Sequence, residues 1–154
     1  MIRNRRPLVS IITSCYNVEK FIGEYLESIL SQTYENIEII LINDGSTDRT
    51  EEIIYQYKDR IIDRGYLFQY LYQENSGQAS ALNKGLKIFK GDYFTWPDSD
   101  DILSKDNVKI KVEFVLNNQG YRLVRGKRKF FENNLNVLYD KDSNKKFNNE
   151  NIFY

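Results

Sequence analysis

The feature that most narrows what this chain can fold into is the alternation of short, apolar, β-branched runs with stretches of helical spacing. Leu8-Val9-Ser10-Ile11-Ile12-Thr13 is the first such run and Ile37-Glu38-Ile39-Ile40-Leu41-Ile42 the second, and both have the composition of strands buried on two faces. Between them Phe21, Ile22, Tyr25, Leu26, Ile29 and Leu30 mark one face of a helix that ends near Gln32-Thr33. Residues 47–57 return to helical spacing through Ile53, Ile54 and Tyr57, and Asp48 three residues before Glu51 predicts a capping box. A third strand over 66–72, a helix over 79–89, a fourth strand over 93–96 and a helix over 105–117 extend the rhythm. Residues 129–139 have the pattern of a hairpin with an Asn133-Asn134 turn.

Strand and helix in strict alternation, joined by short turns, imply right-handed crossovers. The expected fold is α/β: a mainly parallel, Rossmann-like sheet with helices on both faces. Ligands of such sheets sit beyond the carboxyl ends of the strands. The polar clusters Ser14-Cys15-Tyr16-Asn17, Asn43-Asp44-Gly45-Ser46 and Asp98-Ser99-Asp100-Asp101 each follow a predicted strand, so they should converge on one rim. From Asp140 onward the chain is too polar to add much core, and Ile152-Phe153-Tyr154 reads as an apolar element just begun. The expectation is a sheet that is incomplete at its C-terminal side.

Composition removes several classes of function. Lys+Arg and Asp+Glu each number 22 in 154 residues, so net charge gives no case for a nucleic-acid partner. With no His, neither a His-ligated zinc site nor a Ser-His-Asp triad can be built. The chemistry on offer is that of carboxylates. A single Cys forms no internal disulfide and fits a reducing compartment, and no apolar run approaches the roughly 20 residues that cross a bilayer. The sequence reads as soluble and cytoplasmic.

Each rim residue has two readings. Asp98-x-Asp100 suits Mn²⁺ or Mg²⁺, hard cations that take one or two carboxylates and complete their shell with substrate phosphates and water; the same residues are also ordinary turn and helix-cap formers. Asp44 could accept hydrogen bonds from a base or ribose, or could form an Asx turn. Tyr16 could stack on a nucleobase, a contact worth about 1–3 kcal/mol, or could simply pack, as one of twelve Tyr. Cys15 reads as a small buried filler. Gly45 and Gly77 permit close backbone approach to phosphate, yet neither sits in a dinucleotide or P-loop array. Arg125, Lys127, Arg128 and Lys129 are either an anion contact or a solvated turn.

Taken in order, these segments resemble the family 2 glycosyltransferases of GT-A fold. The resemblance is carried by Leu8-Val9-Ser10-Ile11-Ile12 with Tyr16-Asn17, by Ile29-Leu30-Ser31-Gln32-Thr33-Tyr34, by Ile42-Asn43-Asp44-Gly45-Ser46-Thr47-Asp48, and by Asn75-Ser76-Gly77 with Ala81-Leu82-Asn83-Lys84-Gly85. Gly91-Asp92-Tyr93 and Asp98-Ser99-Asp100-Asp101 complete it, over roughly residues 7 to 116. It implies an inverting, metal-assisted, hexosyltransferase-like enzyme that moves a sugar from a nucleotide sugar, UDP-linked by expectation, to a polysaccharide or glycolipid acceptor. Ser14 and Tyr16 would flank the base, Asp44 would accept the uracil N3 hydrogen, Asp98 would lie on the ribose side, and Asp100 would ligate Mn²⁺ or Mg²⁺. Asp101 would either join them or cap the following helix. Residues 1–118 would form the nucleotide-sugar-binding core, and 119–154 the start of the acceptor side. Work at the inner membrane face, by peripheral association, and self-association through an unfinished sheet edge are further expectations.

The sequence departs from the family at the general base, which usually comes from an Asp in a Glu-Asp pair. No Glu-Asp dipeptide occurs, and the carboxylates after Glu113 are Glu132, Asp140, Asp142 and Glu150, all in poorly patterned sequence. The alternative to a complete transferase is therefore a nucleotide-binding module without turnover. A nucleotidyltransferase, the third candidate, needs a Gly-rich basic loop after the first strand, and Ser14-Cys15-Tyr16-Asn17 is not one.

Overall fold

The structure is a computed structural model and describes residues 6–118, 120 and 123–126, with the backbone alone of 130, 131, 138 and 139. Lys127, Arg128 and Lys129 of the basic run, the Asn133-Asn134 turn and the late carboxylates from Glu132 onward lie outside the described residues. The chain divides into two compact units, Met1–Lys109 and Ile110–Tyr154.

The first unit is the predicted alternation. β1 (Val9–Cys15), α1 (Ile22–Leu30), β2 (Ile37–Asp44), α2 (Thr50–Asp63), β3 (Leu67–Gln73), α3 (Gln78–Ile88) and β4 (Tyr93–Thr95) follow in order. All pairings are parallel and the strand order is β3-β2-β1-β4. α4 (Asn107–Asn117) runs on into the second unit, where β5 (Phe130–Phe131) and β6 (Leu138–Tyr139) pair antiparallel, as the hairpin reading expects.

Period-two alternation sorts the central strands into two buried faces. Ile12, Ile40 and Ile42 point to one face and form a core with Ala81 of α3, joined by Leu71, Leu82, Ile88 and Phe89. α3 lies close to the sheet because position 85 is glycine: a Cβ there would stand 2.3 Å from Ile12 Cγ2 and 3.1 Å from Ile42 Cδ1. The odd-numbered residues of β1 and β2, with the even-numbered Tyr70 of β3, face the other way. There the Thr13 hydroxyl hydrogen-bonds the wholly buried Tyr25 of α1, and Asn43 donates to Tyr70 Oη, which in turn donates to Glu51 of α2.

Two sequence readings are corrected. Asp48 and Glu51 make no capping box: Asp48 accepts from the backbone N–H groups of Thr50 and Glu19, while Glu51 accepts from Tyr70, and α2 runs on to Asp63. Asp101 does not cap the next helix, because α4 begins only at Asn107.

The residue least expected inside this sheet is Glu38, fully buried in β2. A buried carboxylate is tolerated only when its oxygens are matched. Oε2 accepts from Ser10 Oγ at 2.5 Å and the Lys90 N–H at 2.8 Å, and Oε1 accepts from Gln69 Nε2 at 2.8 Å. Ser10 is the register partner of Glu38, and Gln69 lies two residues beyond its partner on β3, so the pleat itself aims both at the carboxylate. Because Glu38→Leu leaves three donors unmatched in the interior, it should lower unfolding free energy by about 2–4 kcal/mol in urea titration; unchanged stability would show that the network holds nothing together.

Candidate functional site

The carboxyl ends of β1, β2 and β4 open on a cleft of about 500 Å³, within the range of about 300–1,000 Å³ common for small-molecule sites. Ser14, Tyr16, Val18, Asp44, Asn75, Gly77, Gln78, Asp98, Ser99 and Asp100 line it. The three predicted clusters thus meet on one rim, and Ser14, Tyr16, Asp44, Asp98 and Asp100 all lie there. Asp101 does not line it, and Cys15 is fully buried, its thiol pushed up to about 12 by burial, as a filler would be. A second groove of about 310 Å³, between α3 and β4, is lined by Ile12, Ala79, Leu82, Asn83, Leu86, Phe94 and Trp96. It has no ionisable side chain, so the acid chemistry belongs to the first.

Asp44 is 2% exposed, and the loop from β3 to α3 closes over it. Oδ1 accepts from Gln73 Nε2 at 2.6 Å and from the Ser76 N–H at 2.9 Å, and Oδ2 accepts from the Gly77 N–H at 2.9 Å. Burial pushes the carboxyl upward, but these donors, with Lys84 nearby, outweigh it and hold the group below its ordinary value. Asp44 is therefore an anion at neutral pH that organises its own loop.

Gly45 lets that loop come so close. Its φ is +73°, and an added Cβ would stand 2.7 Å from the Asn75 nitrogen. On the other side, the β1–α1 and β2–α2 turns are laced together. Asn17, in the left-handed region at φ 50°, accepts from the Thr47 N–H, while its own N–H donates to Ser46 Oγ. The Val18 N–H donates to Thr50 Oγ1, the Glu19 N–H to Asp48, and the Arg49 N–H to Glu19. These ties set the backbone from which Tyr16, half exposed, projects.

Asp98 is half-buried and accepts from Gln78 Nε2 at 2.9 Å, which links the start of α3 to the chain leaving β4. Asp100 is exposed. Among the described residues no three His, Cys, Asp or Glu side chains gather as a complete metal cage. Two carboxylates at the mouth of a cleft still fit a hard divalent cation that takes its other ligands from phosphate and water. Sequence reasoning did not assign Gln73 and Gln78; amides at a strand end and a helix start carry no motif by themselves.

The glycosyl transferase family 2 model matches residues 10–152, and the chain belongs to that family. It is 44% identical over 109 residues to an uncharacterized glycosyltransferase of Rickettsia typhi, covering 71% of this chain and 32% of that protein. Among solved structures it is similar to S. aureus TarS 1–349 in complex with UDP-GlcNAc, with a TM-score of 0.64 and 29% identity over 71% of this chain and 31% of that one. It is also similar to the mannosyltransferase PcManGT of Pyrobaculum calidifontis in complex with GDP-Man and Mn²⁺, with a TM-score of 0.59 and 27% identity over 64% and 29%. The fold is thus that of the GT-A glycosyltransferases. The chain spans less than half the length of the curated relatives it matches.

Gly45→Ala forces a side chain into the left-handed region and against Asn75, and should cost about 1–2 kcal/mol or more in urea unfolding; a neutral effect would mean that the loop does not depend on this approach. Asp44 contributes stability that is present above the ordinary carboxylate pKa and is lost as pH falls through its depressed folded value. Asp44→Asn should therefore be less stable than wild type at pH 7, with the difference shrinking in acid; a constant difference across the acid range would contradict the assignment.

Proposed function

We propose that this chain binds the donor of an inverting, divalent-metal-dependent sugar transfer, a UDP-linked hexose in the first instance, passed to a glycan or glycolipid acceptor. The observation that supports it is the convergence of Ser14, Tyr16, Asp44, Asp98 and Asp100 on one cleft of a family 2 glycosyltransferase chain. The relatives in complex with UDP-GlcNAc and with GDP-Man and Mn²⁺ favour a nucleotide-sugar donor and a divalent cation.

In this reading the half-exposed Tyr16 ring stacks on the base beside Ser14, and the Asp44 carboxylate accepts the N3 hydrogen of uracil. Asp98, held by Gln78, accepts from the ribose hydroxyls. Asp100, exposed at the mouth, is the protein ligand for Mn²⁺ or Mg²⁺. The cation, when bound, offsets the charge that builds on the departing diphosphate. Three acidic side chains, Asp44, Asp98 and Asp100, line the cleft, so a diphosphate without a counter-ion meets repulsion here.

Inversion also needs a carboxylate to take the proton of the acceptor hydroxyl. The absence of any Glu-Asp pair favours a second reading, donor binding without turnover by this chain alone. No helix among the described residues is long and apolar enough to cross a membrane.

Calorimetric titration with UDP and GDP, each with and without Mn²⁺, tests the donor site. Mn²⁺-dependent UDP binding that Asp100→Asn weakens at least tenfold is the expected result. The reading fails if the folded chain binds neither nucleotide, or if Asp100→Asn binds as wild type does.

A further inference from the structure

Gln73, the last residue of β3, is the register partner of Asp44, the last residue of β2. Paired residues of adjacent strands project to the same face, so the amide and the carboxylate meet beneath the loop that leads to α3. Gln73 is 5% exposed, and while its Nε2 donates to Asp44 Oδ1, its buried Oε1 has no hydrogen-bond partner among the described residues. A buried amide that leaves its own carbonyl unmatched is uncommon and calls for a reason. Turning the amide over would set that carbonyl against the Asp44 carboxylate, so the charge on Asp44 fixes which end faces it.

The consequence is a count of lone pairs. A carboxylate offers about four acceptor positions. Gln73 and the Ser76 N–H occupy both on Oδ1, and the Gly77 N–H occupies one on Oδ2. One position, on Oδ2, is left for the cleft that Asp44 lines.

The geometry points to Gln73 as a positioning residue for base selection: its buried amide saturates Asp44 Oδ1, so that the carboxylate presents a single acceptor, matched to a base with a ring N–H. This rests on the nucleotide reading above and adds the residue that enforces it. Uracil offers such a hydrogen at N3, whereas cytosine offers a lone pair there and is disfavoured. Lys84 on α3 acts on the same carboxylate by favouring its charged form. Asp98 and Asp100, on the segment after β4, and Tyr16, after β1, are the other ionisable groups that share the cleft.

The test is titration of the chain and of Gln73→Met with UDP and CDP, both with Mn²⁺, between pH 4 and pH 8. Met keeps the length of Gln but donates nothing to Asp44. UDP affinity should fall about tenfold at neutral pH, because without the bond at Oδ1 the Asp44 carboxylate is no longer held with Oδ2 toward the cleft. The UDP-to-CDP preference should narrow, and the acid fall in UDP affinity should begin at higher pH, because Asp44 has lost a donor that favours its anion. Gln73→Glu, of the same shape, serves where Met perturbs packing. The carboxyl group it introduces still donates to Asp44 while protonated, so in that variant UDP affinity should fall as pH rises, opposite in sign to the acid fall of wild type. Wild-type affinity, preference and pH profile in both folded variants would overturn the assignment while leaving the nucleotide site standing. No nucleotide binding by wild type would overturn both.

Discussion

Asp44 is the group on which the rim depends. Its two oxygens gather an amide from β3 and two backbone N–H groups from the loop into α3; that loop supplies Asn75 and Gly77 to the cleft, and the helix it leads into supplies Gln78. The carboxylate is at once a structural centre and the acid most deeply placed in the site. Gly45 next to it removes the side chain that would push Asn75 away, so the Asn-Asp-Gly-Ser turn is one device rather than four separate residues.

The same strand carries a second buried carboxylate at its other end. Glu38 and Asp44 project to the same face of β2, one near each end of α3. Asp44 accepts from Ser76 and Gly77, just before the helix, and Glu38 accepts from Lys90, just after it. Between these anchors Gly85 sits against Ile12 and Ile42. α3 is thus fixed at both ends by hydrogen bonds and in the middle by close packing, which sets where its first residue, Gln78, meets Asp98. The two acids differ in what remains to them: Glu38 is sealed in the interior, whereas Asp44 lines a cleft.

Much of this was legible in the chain. The runs at 8–13 and 37–42 are buried strands because nothing but apolar, β-branched residues with a few small or matched polar ones fits between two helical layers, and the polar clusters after them had to share a rim once the sheet was parallel. Tyr16, Asp44, Asp98 and Asp100 were found in this way. What escaped depends on register and tertiary contact. Glu38 reads as an anomaly in an apolar run until Ser10, Gln69 and the Lys90 N–H are seen around it. Asp48 reads as a capping-box residue until the Glu19 N–H is seen to claim it. Gln73 carries no signal at all until its pairing with Asp44 is known.

The most direct test of the central claim, that the rim of β1, β2 and β4 is a nucleotide and metal site, is an amide-resolved NMR titration of the chain with UDP in the presence of Mg²⁺, followed by Mn²⁺. Shifts confined to Ser14 through Val18, Asp44 through Ser46 and Asn75 through Gln78, with paramagnetic broadening centred on Asp98 to Asp100, are what the account predicts. Shifts that instead follow Leu82, Leu86, Phe94 and Trp96, or broadening remote from Asp100, would contradict it.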